Sequence, residues 1–421
     1  VKYAVIGNGI AGINAAKTVR QRHADADITI ISMESDHFFS RPALMYVACG
    51  QLSPVDVEPY QRDHYRRMGF KRIRGKVAGL DPRSKILSLS DGLELTYDRL
   101  LIACGSVPRM ADWPGQDLDG VGNFVSWQDL EWLQQKAPQA HRATVVGGGL
   151  IGIEAAEVLL RVGLQVTFLI REEWYWPIAL DKTEGNLVAE HMRKHGCDVR
   201  LQSECQEILG NNGRVIGIRT SSGETIGCDL AMFSIGVRPQ TDWLAGSGVE
   251  LDQGGGIIVD ERLRTNLPDI YAAGDCTSVT WFNGVRRPEQ LWYTSRDQGR
   301  VAGMNLAGGE QIYKRGTFYN SAKFFDLEYT TAGYVNFNFE GERNWFQHEP
   351  GTDFTQRITY LPDQTVVGFN FIGRRWDHQP LISWVEEKRK LDWVLEHLNE
   401  ANFDEEFMPA FKVLESAEGT Y

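Results

Sequence analysis

The chain has 421 residues, too many for a single hydrophobic core, and is expected to divide into two to four domains. With 42% hydrophobic and 24% charged residues it carries neither a disordered nor a fibrous bias, and a net charge of -12 argues against a surface that attracts nucleic acid or anionic lipid throughout. Cys49, Cys104, Cys197, Cys205, Cys228 and Cys276 show no redox or zinc spacing, and no apolar run approaches the roughly 18 residues that span a bilayer, so a cytoplasmic protein is expected.

In chain order, an apolar strand over 2–6 runs into Gly7-Asn8-Gly9-Ile10-Ala11-Gly12, an alanine-rich helix and a second strand, Ile28-Thr29-Ile30-Ile31. Gly7 permits a tight turn, Gly9 lets the backbone approach a pyrophosphate, and Gly12 lets helix pack on strand, while the helix N-terminus offers its amides to the phosphates. The acid expected about 20 residues further on, placed for a ribose hydroxyl, is Glu34. Seven lysines and arginines against one aspartate then fill 62–76, a charge run whose usual meaning is a solvated helix face. Asp91-Gly92 predicts a hairpin turn, and Pro108 and Pro114 flank an interdomain crossing.

The same grammar returns as Ala143-Thr144-Val145-Val146, then Gly147-Gly148-Gly149-Leu150-Ile151-Gly152, a helix over 153–161 and a strand over 166–170. Two βαβ units predict two parallel sheets covered by helices. Gly223-Glu224 predicts another hairpin. From about 318 the character changes: fifteen of the 45 aromatic residues lie between Phe318 and Trp376. Runs over 335–339 and 367–371 alternate with period two and predict antiparallel strands. A helix is expected over 381–398, with Leu381, Val385, Leu391, Val394, Leu395 and Leu398 near one face, followed by an acidic surface tail.

The first glycine motif, the segment from Tyr97 through Ala103-Cys104-Gly105 to Arg109, the second glycine motif, and Thr265 through Ala273-Gly274-Asp275 together resemble the two-dinucleotide flavoprotein family. That family includes pyridine nucleotide-disulfide reductases, NADH oxidases, and ferredoxin and rubredoxin reductases. The resemblance covers about the first 310 residues and implies an α/β fold with two Rossmann-like dinucleotide-binding domains. The FAD domain would be 1–113 with 243–317, the NAD(P) domain 114–242 inserted into it, and 318–421 an α+β interface domain. FAD would lie on Gly7, Gly9, Gly12, Glu34, Ala103, Gly105, Arg109 and Asp275, and the nicotinamide nucleotide on Gly147, Gly149 and Gly152, with Gly236 a further cofactor residue. Ser40-Arg41-Pro42-Ala43-Leu44 is similar to the arginine-proline segment that the ferredoxin- and rubredoxin-reductase branch lays along the flavin, making Arg41 and Pro42 candidates. Leu291-Trp292-Tyr293 with Gln298-Gly299 resembles a segment beside the isoalloxazine, although Trp292 also reads as core.

Three departures stand against that pattern. The disulfide-reductase branch has two cysteines four residues apart after the first unit, and only Cys49 lies there, read as a buried small hydrophobe; electrons are therefore expected to leave FAD directly. Glu154 matches a family glutamate near the meeting point of nicotinamide and flavin, but the lysine it pairs with elsewhere falls on Tyr46, so Glu154 is expected to orient nicotinamide alone or through Tyr46. Where an acid would grip the ribose of NADH stands Ile170, followed by Arg171, which leans toward NADPH; Glu172 and Glu173 leave NADH open.

Three readings of function follow: a reductase for an acidic carrier protein or partner subunit docking on 62–76, an oxidase or quinone reductase with a small acceptor, and a flavin-bearing scaffold or redox sensor. No nucleic acid and no metal is expected, since the nine histidines show no ligand-spaced pair. Trp345, Trp376, Trp384 and Trp393 are expected in the core, with flavin capping or a partner contact as the alternative.

Overall fold

A computed structural model describes residues 1–281, 283–404 and 406–414. The chain is α/β, with two parallel five-stranded sheets, smaller antiparallel or mixed sheets and a five-stranded antiparallel sheet near the C-terminus. It divides into two compact units. The first comprises Val1–Arg109, Val125–Gln134 and Gly236–Arg315; the second comprises Met110–Phe124, Gln135–Ile235 and the described residues from Gly316 onward.

In the first unit the parallel sheet has the order Ile270–Ala272, Arg99–Ile102, Lys2–Ile6, Asp27–Ser32, Phe70–Arg74. Val5, Leu101, Ile30 and Ala272 are buried, as expected of parallel strands whose two faces are both covered. Helix Ile10–Arg22 packs against helix Trp292–Leu306 through small residues. A Cβ on Gly299 would lie 2.3 Å from the Ala11 carbonyl oxygen, and one on Gly303 would lie 2.7 Å from that of Ala15. Asp91-Gly92 forms the predicted turn between Ile86–Leu89 and Glu94–Thr96. The basic stretch is not a helix face: it spans a one-turn helix, His64–Arg67, and the edge strand Phe70–Arg74. Five of its charges pair with neighbouring acids, Arg62 with Glu58 and Arg67 with Asp63 at 3.3 Å, Lys71 with Asp27 at 2.8 Å, Arg66 with Asp63 at 3.9 Å and Arg74 with Asp36 at 4.0 Å.

In the second unit the parallel order is Asp198–Arg200, Gln165–Leu169, Arg142–Val146, Leu230–Phe233, Val121–Gly122. Helix Leu150–Arg161 starts at the second glycine motif, and the Gly223 turn joins Arg214–Thr220 to Thr225–Gly227. Helix Lys182–Lys194 opens on a reciprocal cap between Asp181 and Glu184. Buried Glu184 also accepts from Arg357 at 2.8 Å and from Asn370 at 3.0 Å, tying the helix to the C-terminal sheet; burial pushes its carboxyl up against the opposing guanidinium.

The C-terminal sheet has the order Tyr319–Phe324, Leu327–Gly333, Val366–Gly373, Thr355–Tyr360, Arg343–His348, all antiparallel. Two expectations fail here. The alternating run 335–339 is a loop, because Asn336 and Asn338 both take the left-handed conformation at φ +57° and +55°, which no strand tolerates. The helix over 381–398 breaks into His378–Glu386 and Leu391–His397, where Lys388 turns the chain at φ +56°. The apolar positions still converge, since Leu381, Leu391, Val394 and Leu398 share one core with Trp345, Trp376 and Trp384, and Trp393 packs against it. The tail is not wholly surface: Phe411 inserts between Trp345 and Trp376, and 415–421 lie outside the described residues.

Candidate dinucleotide-binding sites

The glycines of the first motif divide by what surrounds them. Gly7, at φ +109°, would place a Cβ 2.0 Å from the carbonyl oxygen of Ala103, and Gly12 one 2.0 Å from that of Gly7, so both are fixed by backbone packing. A Cβ on Gly9 would meet nothing within 4 Å. Open space therefore lies in front of the N-terminus of helix Ile10–Arg22, where Gly9 is the N-cap and no side chain caps the amides. Such a cradle, bare of side chains and closed behind by backbone, fits a pyrophosphate.

The second motif repeats the arrangement. A Cβ on Gly147, at φ +118°, would lie 2.4 Å from the Ser234 carbonyl oxygen and one on Gly152 2.1 Å from that of Gly147, while a Cβ on Gly149 would meet nothing within 4 Å. Gly149 caps helix Leu150–Arg161 without a side-chain bond.

Around the first cradle the structure brings Glu34 and Arg41 together. Arg41 forks onto both carboxylate oxygens at 2.8 and 2.5 Å and also donates to the Val125 carbonyl at 2.6 Å; Glu34 accepts from the Trp127 amide at 2.9 Å. Burial alone would raise the Glu34 carboxyl, but the guanidinium and the amide outweigh it and hold it low. Pro42 follows in the 3-10 turn Arg41–Ala43, pre-set for that geometry. Asp275 accepts from Ser106 at 2.9 Å and Ser295 at 2.8 Å, and burial pushes its carboxyl up despite both bonds. Gly105 is at φ +72° with open space beyond it. Arg109 pairs its amide with the Gly236 carbonyl at 2.9 Å and its guanidinium with that of Val237 at 3.0 Å, where 106–108 meets 237–239 in antiparallel pairing. Trp292 begins helix Trp292–Leu306, edge-on to Tyr293.

Glu154 is the fifth residue of helix Leu150–Arg161, where burial, and secondarily the charge of Glu157, push its carboxyl up to about 7. Ile170 is fully buried, whereas Arg171 is exposed and bonded to Glu172 at 2.8 Å. None of the six cysteines is in a disulfide, and Cys49 is half-buried rather than buried. Sequence reasoning missed Ser106 and Ser295 as partners of Asp275; Gln298, part of the segment resembling the one beside the isoalloxazine, has its carbonyl accepting from the Gly274 amide and from Thr277, both at 2.8 Å. A polar stripe entering the helix after Gly274-Asp275 was the available signal. The histidine reading is also corrected: His191 and His195 are spaced four apart and converge with Asp326.

Two glycine cradles on two parallel-sheet units define a dinucleotide-dependent oxidoreductase. A family model described as pyridine nucleotide-disulphide oxidoreductase matches residues 1–299, and the chain belongs to that family. Its members use FAD and NAD(P)H, and this chain is an NAD(P)H-dependent flavoprotein oxidoreductase. It is 30% identical over 382 residues to the 5,5'-dehydrodivanillate O-demethylase ferredoxin reductase subunit of Sphingobium sp., covering 89% of this chain and 90% of that one. It is 28% identical over 388 residues to a nitrite reductase [NAD(P)H] of Bacillus subtilis, covering 91% of this chain but only 47% of that relative. In fold it is similar to an NAD-dependent persulfide reductase from A. fulgidus, with TM-score 0.86 at 23% identity, covering 94% of this chain and 79% of that one. Among the described residues no helix is long and apolar enough to cross a membrane.

Proposed function

We propose that this chain is a cytoplasmic reductase that takes hydride from NAD(P)H and hands electrons to a small acidic carrier protein such as a ferredoxin or rubredoxin. The observation that carries the reading is the pair of cradles at Gly9 and Gly149, each open in front and closed by backbone behind. FAD, when bound, supplies a flavin that accepts hydride at N5 and releases electrons onward.

In the first unit, Gly7, Gly9 and Gly12 hold the FAD pyrophosphate and Glu34 the ribose, while Arg41, kept in place by Glu34, and Pro42 border the flavin. Ala103, Gly105, Arg109, Gly236 and Trp292 shape the rest of that site. Asp275, oriented by Ser106 and Ser295, accepts a hydroxyl of the ribityl chain. In the second unit, Gly147, Gly149 and Gly152 take the nicotinamide nucleotide, Arg171 reaches its adenosine end, and Glu154 orients the nicotinamide. The domain division proposed is 1–113 with 243–317 for FAD, 114–242 for NAD(P), and 318–421 as interface. Its support is that Ile270–Ala272 pairs with Arg99–Ile102 across the whole intervening segment.

The ferredoxin reductase subunit among the relatives supports a protein acceptor, and the missing second cysteine supports direct exit from flavin. The pairing of Arg62, Arg67 and Lys71 with neighbouring acids favours a second reading, a small acceptor such as oxygen or a quinone, because it weakens steering of an acidic partner. The test is anaerobic reduction by NADH and by NADPH, then separate mixing with ferredoxin, rubredoxin, a quinone and oxygen. Fastest reoxidation by a carrier protein is expected; fastest reoxidation by oxygen or quinone selects the second reading, and failure of both nucleotides to bleach the flavin overturns both.

A further inference from the structure

At the C-terminal end of helix Lys182–Lys194, His191 and His195 lie on one face, and the tips of two hairpins from the C-terminal sheet come down on them, carrying Asp326 and Asp353. His191 is buried, while Asp326 is 70% exposed. The proton count of this cluster is informative. His195 Nδ1 lies 3.0 Å from the His191 carbonyl oxygen, which can only accept, so Nδ1 carries the hydrogen. His191 lies between two carboxylates, its Nδ1 2.9 Å from Asp353 and its Nε2 2.5 Å from Asp326. Both Nε2 atoms converge on one oxygen, His191 Nε2 at 2.5 Å and His195 Nε2 at 3.3 Å from Asp326 Oδ1. With a hydrogen on each Nδ1, the neutral rings and the carboxylate present three ligand atoms within 4.8 Å of one another, an arrangement that a cation among them would hold together.

We propose that His191, His195 and Asp326 form a site for one divalent transition-metal cation of the Zn2+ type, unrelated to the flavin and nucleotide chemistry. The donor set, two imidazoles and a carboxylate with a fourth position open to water, suits a borderline cation. Metal–nitrogen bonds of roughly 2.0–2.1 Å in tetrahedral geometry put ligand atoms about 3.3 Å apart, which is the separation of His195 Nε2 from Asp326 Oδ1. The shorter His191 contact must open, and exposed Asp326 in a two-residue turn is free to swing. Asp353 supplies the outer support that metal-bound histidines characteristically have, and is itself held by Lys194 Nζ at 2.7 Å. The cation would staple the helix end to the Asp326 hairpin tip, with Asp353 of the other tip backing His191, complementing the Arg357–Glu184 tie at the other end of the same helix.

The experiment uses the FAD-loaded chain, stripped with chelator and titrated with Zn2+ by calorimetry. We expect one Zn2+ per chain and a higher thermal midpoint on loading. His195→Gln and Asp326→Asn should each weaken binding by about tenfold or more, and Asp353→Asn by about tenfold through the outer support. Both first-named variants alter exposed side chains, and their flavin absorbance per chain reports that they remain folded. Absence of binding in the unaltered chain, or equal binding in all variants, overturns the proposal.

Discussion

Replacing Glu154 by glutamine isolates one titration. Its carboxyl is raised from 4.5 to about 7 by burial and by Glu157, and among the described residues it has no hydrogen-bond partner to relieve the cost. The folded chain therefore holds this proton more tightly than the unfolded chain, and stability falls as pH rises from about 4.5 to about 7, levelling off above. The free-energy difference between the two protonation states is about 3 kcal/mol. Glutamine keeps the shape and stays neutral, so Glu154→Gln should be more stable than the unaltered chain by about 1 kcal/mol near pH ~5 and about 3 kcal/mol near pH ~8. The assay is urea unfolding of both FAD-loaded proteins, without nicotinamide nucleotide, across that pH range. A stability difference that does not change with pH would refute the reasoning. In flavin reduction, the same group should give the pH profile of kcat/KM an inflection near pH 7 that the glutamine variant lacks.

The two kinds of glycine should separate cleanly. Gly9→Ala should leave unfolding nearly unchanged yet weaken FAD binding by about tenfold or more, whereas Gly12→Ala, driven against the Gly7 carbonyl, should destabilise the first unit by roughly 1–3 kcal/mol, read by denaturation. Arg171→Ala should raise KM about tenfold for NADPH and little for NADH if the side chain grips a 2'-phosphate; equal losses would reject that role. If 62–76 docks an acidic carrier, raising ionic strength to about 0.5 M should slow reoxidation by ferredoxin several-fold while leaving reoxidation by oxygen unchanged; a flat response removes the dock.

Both cradles were legible because glycine is the single residue type that survives a Cβ-free approach, so Gly7, Gly12, Gly147 and Gly152 announce their backbone contacts in sequence. Buried parallel strands were legible for a similar reason, being short apolar runs between turn residues. The misread run 335–339 shows where that logic stops: alternation marks a strand only if every residue stays extended, and asparagine readily leaves that region. The helix over 381–398 kept its apolar periodicity across a break, because two short helices presenting one face to a common core satisfy the same pattern. The Glu34–Arg41 fork and the meeting of His191 with Asp326 were invisible for another reason. The first depends on a local turn, and the second on a hairpin tip more than a hundred residues downstream, and neither leaves a mark in spacing.

The tight seat of Gly299 and Gly303 on Ala11 and Ala15 binds the beginning of the chain to a helix made nearly three hundred residues later. The neighbouring strand Arg99–Ile102 likewise waits for Ile270–Ala272. At roughly 5–20 residues per second, a ribosome needs about 10 to 30 s to travel from one strand to the other. Throughout that interval the first unit exposes an apolar helix face and an unpaired strand edge. The second unit's parallel sheet, whose strands all fall within 121–233, has every strand it needs well before then. For the two parallel sheets, birth order and folding order are thus opposed: the sheet begun first is the last to close, and that delay is when the nascent chain most needs shielding from its neighbours.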